Sequence, residues 1–268
     1  EPPSIKYNKE KKRAELILMY YLWNNRKYQI DYHIYTNGVL TINPYYWQCD
    51  IKDDVPDLPR IGLRFRIPVE FNNVEYFGKG PEENYWDRSD GFHIDRYQTT
   101  ADEMYFPYVR PQETGHHTSV RWLALQNIRE KGLLIMARKN SLGEDLIEFN
   151  ALRNTIEDLD DEEQVDLERM WQNFEDCFHR PELICSHDEN WAKNNLRRQH
   201  HVDDVVMRDF VEVNIDYKMM GIAGIDSWGD RPRSEYTMPA TKDYSYGFTL
   251  IPVSNQQQID EQLEYEYE

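Results

Sequence analysis

The chain has 268 residues, with 31 Lys and Arg against 49 Asp and Glu, a formal net charge of −18. An acidic surface repels phosphate backbones, so nucleic acid is not expected as a partner. Hydrophobic residues make up 40% of the chain and aromatic residues 13%, enough for a sizeable core and too much for global disorder. No apolar run approaches the roughly 20 residues that cross a bilayer, so no membrane contact is expected.

The first 48 residues have the pattern of a sheet. Residues 14–23 form a mostly apolar run, and residues 27–35 alternate apolar with polar side chains. Thr36-Asn37-Gly38 is typical of a hairpin turn, after which residues 39–42 return as a strand. Further strands are predicted at residues 61–67, 74–77, 120–126, 132–137, 210–216 and 245–251. Short strands separated by turn residues predict a mainly β protein, an antiparallel sandwich.

One segment departs from this pattern. From about residue 155 to 195, apolar side chains recur at helical steps: Leu167, Met170, Trp171, Phe174 and Phe178. Acidic residues crowd its start, where they favour a helix N-terminus. Residues 156–205 are therefore predicted to be a helical insertion packed on the sandwich. The acidic tail of residues 256–268 is expected to be frayed.

The three cysteines, one of them Cys49, cannot all pair with one another, so no disulfide framework is expected. Cysteine usage leaves the compartment open between cytoplasm and periplasm. Because the first residue is Glu1 and not Met, the sequence predicts a fragment of a longer protein.

Four short motifs occur in order along the chain. They are LPRIGL at residues 58–63, GKGPEENYWDR at residues 78–88, YFPYVRPQE at residues 105–113, and DSW at residues 226–228. Together they resemble the C-terminal domain of the glycoside hydrolase family 2 β-galactosidases, over about residues 5–253. The resemblance implies an antiparallel supersandwich of the galactose mutarotase-like type over residues 1–255. It is silent on the helical insertion, which is longer than the family's connection there.

The resemblance also implies a function. Enzymes of that family hydrolyse terminal non-reducing β-D-galactose residues in β-D-galactosides with retention, using two glutamates and a Mg ion in a separate barrel domain. The barrel motifs are absent from this chain. The chain is therefore expected to be non-catalytic, to hold no cofactor or metal ion of its own, and to have as partners the barrel, the β-galactoside substrate and further copies of the enzyme in a homo-oligomer.

A tryptophan is the main candidate for a substrate contact. Trp228 lies in residues 221–230, a run rich in Gly and Asp that is typical of a surface loop. An indole face can stack on the C–H face of a sugar ring, or it can fill a gap between two sheets, and the residues alone leave both open. In the family that this chain resembles, a tryptophan at the position that matches Trp228 contacts the substrate. Asp226 is expected to orient the loop through backbone hydrogen bonds.

Adjacent carboxylates invite a catalytic interpretation. Retaining glycosidases need two carboxylates about 5–5.5 Å apart. Glu82 and Glu83 are neighbours in sequence, and neighbours on a strand point to opposite faces. We therefore expect residues 78–81 to form a tight turn and residues 82–88 to form a hydrogen-bonded structural loop.

Two further groups of residues are candidates for chemical sites. A C-x-H pattern occurs twice in the predicted insertion: Cys177, His179, Cys185 and His187. Zinc ligand pairs are usually separated by two or more residues, so no metal site is expected. Mutarotase-like sandwiches that are enzymes carry an acid/base carboxylate and histidines in a groove of the sheet. His93, His116 and His117 are candidates for that role by residue type only.

Two alternatives to an enzyme domain remain open at this stage. A stand-alone carbohydrate-binding module would bind sugar by itself. A structural or oligomerisation module would use the helical insertion as its contact surface.

Overall fold

The computed structural model describes residues 3–22, 26–48, 55–159, 202, 205–223 and 229–264. Contacts divide the chain into two compact units. The first comprises residues 1–105, 114–153 and 209–268, and the second comprises residues 106–113 and 154–208. Every strand in the described part of the chain belongs to the first unit.

The strands are β1 (Ser4–Asn8), β2 (Arg13–Tyr21), β3 (Lys27–Tyr35), β4 (Leu40–Trp47), β5 (Arg60–Pro68), β6 (Asn73–Gly80), β7 (His93–Thr100), β8 (His117–Val120), β9 (Trp122–Gln126), β10 (Gly132–Arg138), β11 (Ile147–Leu152), β12 (Phe210–Met219), β13 (Tyr244–Ser245) and β14 (Gly247–Val253). Two α-helices are described, α1 (Ile156–Leu159) and α2 (Gln256–Gln262), with a 3₁₀ turn at Ser234–Tyr236.

The strands form two antiparallel sheets. The larger has ten strands in the order β1-β2-β3-β4-β14-β10-β9-β6-β7, with β13 paired to β4 outside this path. The smaller has the order β5-β12-β11-β8. The predicted fold class, mainly β with antiparallel strands, is confirmed.

The β3–β4 hairpin forms as the sequence predicts. Gly38 adopts a φ of +85°, a left-handed conformation that glycine reaches without steric cost. The amide of Val39 donates to Asn37 Oδ1 at 3.2 Å, and the amide of Tyr35 donates to the Val39 carbonyl at 2.9 Å. The residues of the turn therefore form the hydrogen bonds that join β3 to β4.

The core lies between the two sheets. Tyr76 on β6 is fully buried, and its ring meets Phe149 on β11 at a centroid distance of 5.3 Å. Tyr246 donates its hydroxyl hydrogen to the carbonyl of Ile215 on β12 at 3.0 Å. Alternate residues of β12 supply the apolar face of the smaller sheet: Val211, Val213, Ile215 and Tyr217.

A second apolar cluster covers the other face of the larger sheet, where α2 packs. Ile259 of α2 is fully buried in a cluster with Leu134 and Val253. Asn255 caps the helix, because its Oδ1 accepts from the Gln258 amide at 2.9 Å. The prediction of a frayed tail is wrong for residues 256–262, where one apolar side chain docks an otherwise polar helix.

The predicted strand at residues 120–126 is in fact two strands in different sheets. β8 lies in the smaller sheet and β9 in the larger, and the chain crosses between them at Arg121. The Arg121 amide donates to the Phe77 carbonyl at 2.9 Å, which continues the pairing of β6. Strands β1, β7 and β11 lie in segments for which the sequence predicted no strand.

The predicted tight turn at residues 78–81 is also wrong, because Gly78 and Gly80 are the last residues of β6. A Cβ on Gly78 would lie 3.0 Å from Val120 Cα, and one on Gly80 would lie 2.3 Å from Tyr76 Oη. These glycines allow neighbouring groups to approach the strand closely and do not make a turn.

In the second unit, a small network of polar side chains stabilises helix α1. The Asp158 amide donates to Thr155 Oγ1 at 3.1 Å, and the Thr155 amide donates to Asp158 Oδ2 at 3.0 Å. Arg208 binds the same carboxylate through Nε and Nη2. The rest of the predicted helical insertion, with Cys177, His179, Cys185 and His187, lies outside the described residues. Among those described, no helix is long and apolar enough to cross a membrane.

Candidate functional site

The loop that follows β6 is organised around Asn84. This buried amide donates to the carbonyls of Lys79 and Glu82 at 3.0 and 3.1 Å. Its Oδ1 accepts from the amide and hydroxyl of Thr118 at 3.0 and 2.6 Å. The predicted hydrogen-bonded loop over residues 82–88 is confirmed.

The two glutamates of this loop do not face each other. Glu83 Oε2 accepts from the Gly115 amide at 2.6 Å and from Thr114 Oγ1 at 3.1 Å, whereas Glu82 is exposed. Glu83 therefore holds the segment that precedes β8 through hydrogen bonds, so its role is structural.

Asp87 and Arg88 hold the chain segment that enters the predicted Trp228 loop. Asp87 Oδ1 accepts from the Ile222 amide at 3.1 Å, and Oδ2 accepts from the Ala223 amide at 2.8 Å. Arg88 Nη2 donates to the Ala223 carbonyl. We call these contacts the loop clamp. A Cβ on Gly221 would lie 2.7 Å from Asp87 Cγ, so glycine is the residue that allows this approach.

The first motif meets the same segment from another side. The Met220 amide donates to the Pro59 carbonyl at 3.0 Å, and Arg60 binds Asp216 through Nε at 2.8 Å and Nη2 at 2.6 Å. The Gly221 amide donates to the Tyr236 carbonyl at 2.8 Å. Two of the four motifs therefore converge on residues 216–223.

Asp226 and Trp228, the two predicted substrate contacts, lie outside the described residues. Their roles stay predictions.

A cleft of about 310 Å³ begins at Trp86, the residue before the loop clamp. The Trp86 ring meets the ring of Tyr236 edge to face at 5.8 Å, and the ammonium of Lys218 lies 4.1 Å from its centroid. The lining residues are mainly polar: Lys79, Ser89, Asp90, Thr118, Ser119, Asn140, Glu144, Glu148 and Lys218, with Trp86, Leu146, Ile147, Tyr217 and Tyr236 as apolar or aromatic walls.

A buried carboxylate lines this cleft. Glu148 on β11 is only 4% exposed. Its Oε2 accepts from the Met219 amide at 2.8 Å and lies 3.0 Å from Nε2 of His116, which is itself fully buried. The His116 ring stacks on Tyr85 at a centroid distance of 5.5 Å.

Asp216, which pairs with Glu148 across strands β11 and β12, is a second buried carboxylate. Burial raises the pKa of Asp216 above its usual value, and the attraction of Arg60 opposes that shift. His116 and Asp216 interact electrostatically, and Glu148 adds a like charge near Asp216. The polar face of the smaller sheet is therefore a network of buried charges that position one another.

The three candidate histidines do not share one environment. His93 is exposed at the start of β7, whereas His116 and His117 are buried. Burial lowers the pKa of His117 to about 4, which keeps the ring neutral. Its nitrogens lie 3.0 Å from the Gly115 carbonyl and 3.2 Å from the Pro81 carbonyl, and a neutral ring can donate to only one of them.

Within the described ranges, no group of three or more His, Cys, Asp or Glu side chains could hold a metal ion. The residues that the sequence missed are Asp87, Arg88, Glu148 and Lys218. A signal existed for Glu148, because residues 147–151 alternate apolar and polar side chains over one short strand.

The fold and the loop clamp together define a two-sheet antiparallel β-sandwich domain with a surface segment fixed beside a polar cleft. A family model described as β-galactosidase small chain matches residues 4–250. The chain belongs to this family.

Curated relatives carry the same name. A β-galactosidase of Priestia megaterium is 29% identical over 224 residues, which is 84% of this chain and 17% of that protein. A β-galactosidase of Streptococcus thermophilus is 28% identical over 227 residues, 85% of this chain and 17% of that protein. The chain thus spans about 17% of the length of these relatives.

Among solved structures, a galactose mutarotase related enzyme of Lactobacillus acidophilus covers 96% of this chain and 73% of its own, at 8% identity and a TM-score of 0.38. A similarity of this size carries no argument about the chain's chemistry.

Proposed function

We propose that the chain is the non-catalytic C-terminal domain of a longer β-galactosidase, called here the parent enzyme, that hydrolyses terminal non-reducing β-D-galactose residues with retention. Membership of the small-chain family and relatives named β-galactosidase support this proposal. The chain aligns with a small share of those relatives, so the proposal assigns the catalytic glutamates and the Mg ion to a barrel elsewhere in the parent enzyme.

The loop clamp is the observation that carries the proposal. It fixes Ile222 and Ala223, which precede Trp228 by six and five positions in the sequence. A clamped loop base lowers the entropy lost when an aromatic side chain is positioned on a ligand.

In this proposal Trp228 contacts the galactoside and Asp226 orients the loop. The domain raises the effective concentration of substrate at the reacting centre and performs no bond chemistry itself.

An exposed apolar face supports a further partner. Ile5, Leu16 and Tyr32 are aligned across β1, β2 and β3, as are Tyr7, Ala14 and Ile34. Ile5 is 71% exposed and Tyr7 is 60% exposed. A contiguous exposed apolar face marks an interaction surface, and in this proposal the rest of the parent enzyme covers it.

The same face favours the structural alternative, in which a second copy of the chain covers it. Light scattering of the isolated chain, with and without residues 156–195, distinguishes a dimer built on β1–β3 from one built on the insertion. A dimer that persists after the deletion supports the face of β1–β3.

Kinetics of the parent enzyme test the Trp228 assignment. Trp228→Ala should raise KM for nitrophenyl β-galactoside, at a cost of about 1–3 kcal/mol if ring burial dominates. Trp47→Ala is a control, because Trp47 stacks on Tyr45 and is not among the residues that line the cleft. Unchanged kinetics in Trp228→Ala would contradict the assignment.

The isolated chain tests the non-catalytic role. With Mg present, it should not hydrolyse nitrophenyl β-galactoside, because the proposal assigns both catalytic glutamates to the barrel. Turnover that survives repurification would contradict this role.

A further inference from the structure

We infer that the cleft beside Trp86 binds a neutral sugar unit, which gives the domain a carbohydrate contact separate from Trp228. The identification of that sugar as a further unit of the β-galactoside substrate rests on the proposed function. The binding itself does not, because it follows from the cleft alone.

The size of the cleft suits one or two sugar rings. Its volume of about 310 Å³ lies at the lower end of the range of about 300–1,000 Å³ that ligand pockets occupy. A helix or an extended peptide would need a longer groove.

The cleft presents both an acceptor and a donor on nearly buried side chains. Glu148 uses Oε2 for His116 and Met219, and no described residue donates to its Oε1. Asn140, 9% exposed, uses Oδ1 for the amides of Leu142 and Glu144 at 2.9 and 3.1 Å, and its Nδ2 donates to no described acceptor. A sugar hydroxyl both donates and accepts, so one ligand class satisfies both groups.

The walls offer apolar surface of the kind a sugar ring needs. Trp86 and Tyr236 are both half-buried and meet at an interplanar angle of 87°, which forms an aromatic corner. The C–H groups of a hexose can pack against such a corner while its hydroxyls reach polar groups.

The charges of the cleft favour a neutral ligand. Lys79 and Lys218 stand against Asp90, Glu144 and Glu148, so neither sign dominates. Lys79 already donates to Ser89 Oγ at 2.8 Å, and Lys218 lies over the Trp86 ring. The net charge of −18 disfavours an anionic ligand further.

One lining residue has an unusual backbone. Ser119 has a φ of +56°, a left-handed conformation that costs a non-glycine residue about 1–2 kcal/mol. Such outliers cluster at binding sites, because surrounding structure must hold them in place.

The test is titration of the 268-residue chain with galactose, lactose and galactotriose, followed by ¹H–¹⁵N NMR. We expect saturable shifts for residues that line the cleft. Asn140→Asp keeps the Oδ1 acceptor of the turn and removes the Nδ2 donor, so binding should weaken about tenfold. Trp86→Leu should weaken binding by a similar factor, because it removes the aromatic corner.

Asn127 provides a matched control. Its Oδ1 accepts from the amides of Arg129 and Lys131 at 2.9 and 3.2 Å, at the same sequence offsets as Leu142 and Glu144 from Asn140. Asn127 does not line the cleft, so Asn127→Asp should change the turn in the same way and leave the affinity unchanged. Equal losses in Asn127→Asp and Asn140→Asp would overturn the inference.

Two other outcomes would also overturn it. The first is no saturable binding of any of the three sugars at their highest soluble concentrations. The second is binding that Trp228→Ala abolishes and the cleft variants leave intact, which would assign the sugar to the loop and keep the proposed function. Binding lost only in the cleft variants, together with normal kinetics of Trp228→Ala in the parent enzyme, would support the cleft and contradict the loop assignment.

Discussion

Asp87 binds the amide of Ala223 at 2.8 Å, although the two residues are 136 positions apart in the chain. The contact joins a loop of the larger sheet to the segment that leaves the last strand of the smaller one. It fixes the backbone of Ala223, which precedes Trp228 by five positions in the sequence.

Asp87→Asn should release the loop base. An amide can accept one of the two backbone hydrogens but repels the other, and loss of a charge-assisted hydrogen bond costs about 1.5–3 kcal/mol. Hydrogen exchange at the amides of Ile222 and Ala223 should accelerate about tenfold or more. In the parent enzyme, KM for the galactoside should rise.

Asp95→Asn is the control for this change. Asp95 is exposed and also accepts a backbone amide, that of Arg96, at 2.8 Å. Unchanged exchange at residues 222 and 223 in Asp87→Asn would mean that the clamp does not hold the loop.

His117 predicts how stability depends on pH. Its pKa is about 4 in the folded chain, against an ordinary value of 6.5, because burial disfavours the charged ring. Between these values the unfolded chain binds the proton more readily, so the free energy of unfolding falls as the pH drops from 6.5 to 4. The full effect of this one group is about 3 kcal/mol.

Urea unfolding of the chain at pH 7 and pH 5 measures this dependence. His117→Gln should unfold more easily at pH 7 and lose part of the difference between the two pH values. His93→Gln, at an exposed histidine, should keep the full difference. If both variants show the same pH dependence as the unchanged chain, the buried neutral ring is not its source.

Ile259 predicts that helix α2 belongs to the core. Its side chain is fully buried in a cluster that includes Leu134 and Val253, so Ile259→Ala should lower the free energy of unfolding by about 2–5 kcal/mol. Gln257→Ala, at an exposed position of the same helix, is the control for helix propensity. Equal stability of the two variants in a urea titration would contradict docking of the helix.

The sequence predicts the sheets better than it predicts the site, for a physical reason. The predicted bounds of strand β3, residues 27–35, agree with the structure at both ends. The alternation of apolar and polar residues there depends only on which face of the strand is buried. Alternation cannot predict the point at Arg121 where the chain passes from the smaller to the larger sheet. All five residues of β9 are buried, so no alternation marks where this strand begins. Ile259 is the one apolar residue of α2, and Leu263 follows it by a single helical turn, which is too short a repeat to predict a helix from the sequence.

The loop clamp and the cleft depend on contacts between residues far apart in sequence. Glu148 and His116 meet only because β11 pairs with β8, and Asp87 reaches Ala223 only after both sheets have formed. The residue types alone indicated a hydrogen-bonded loop at residues 82–88, and the partners of that loop required the fold.

The apolar face of β1–β3 predicts association of the isolated chain. Ile5 lies on that face, aligned with Leu16 on β2, whereas Ile17 lies on the opposite face of the same sheet and is 39% exposed. Ile5→Lys should therefore reduce self-association at high concentration, as measured by light scattering, because a lysine there must be desolvated on burial. Ile17→Lys introduces the same side chain on the other face and should leave association unchanged. Equal effects of the two variants would indicate that added charge alone reduces association and that the face of β1–β3 is not a contact surface.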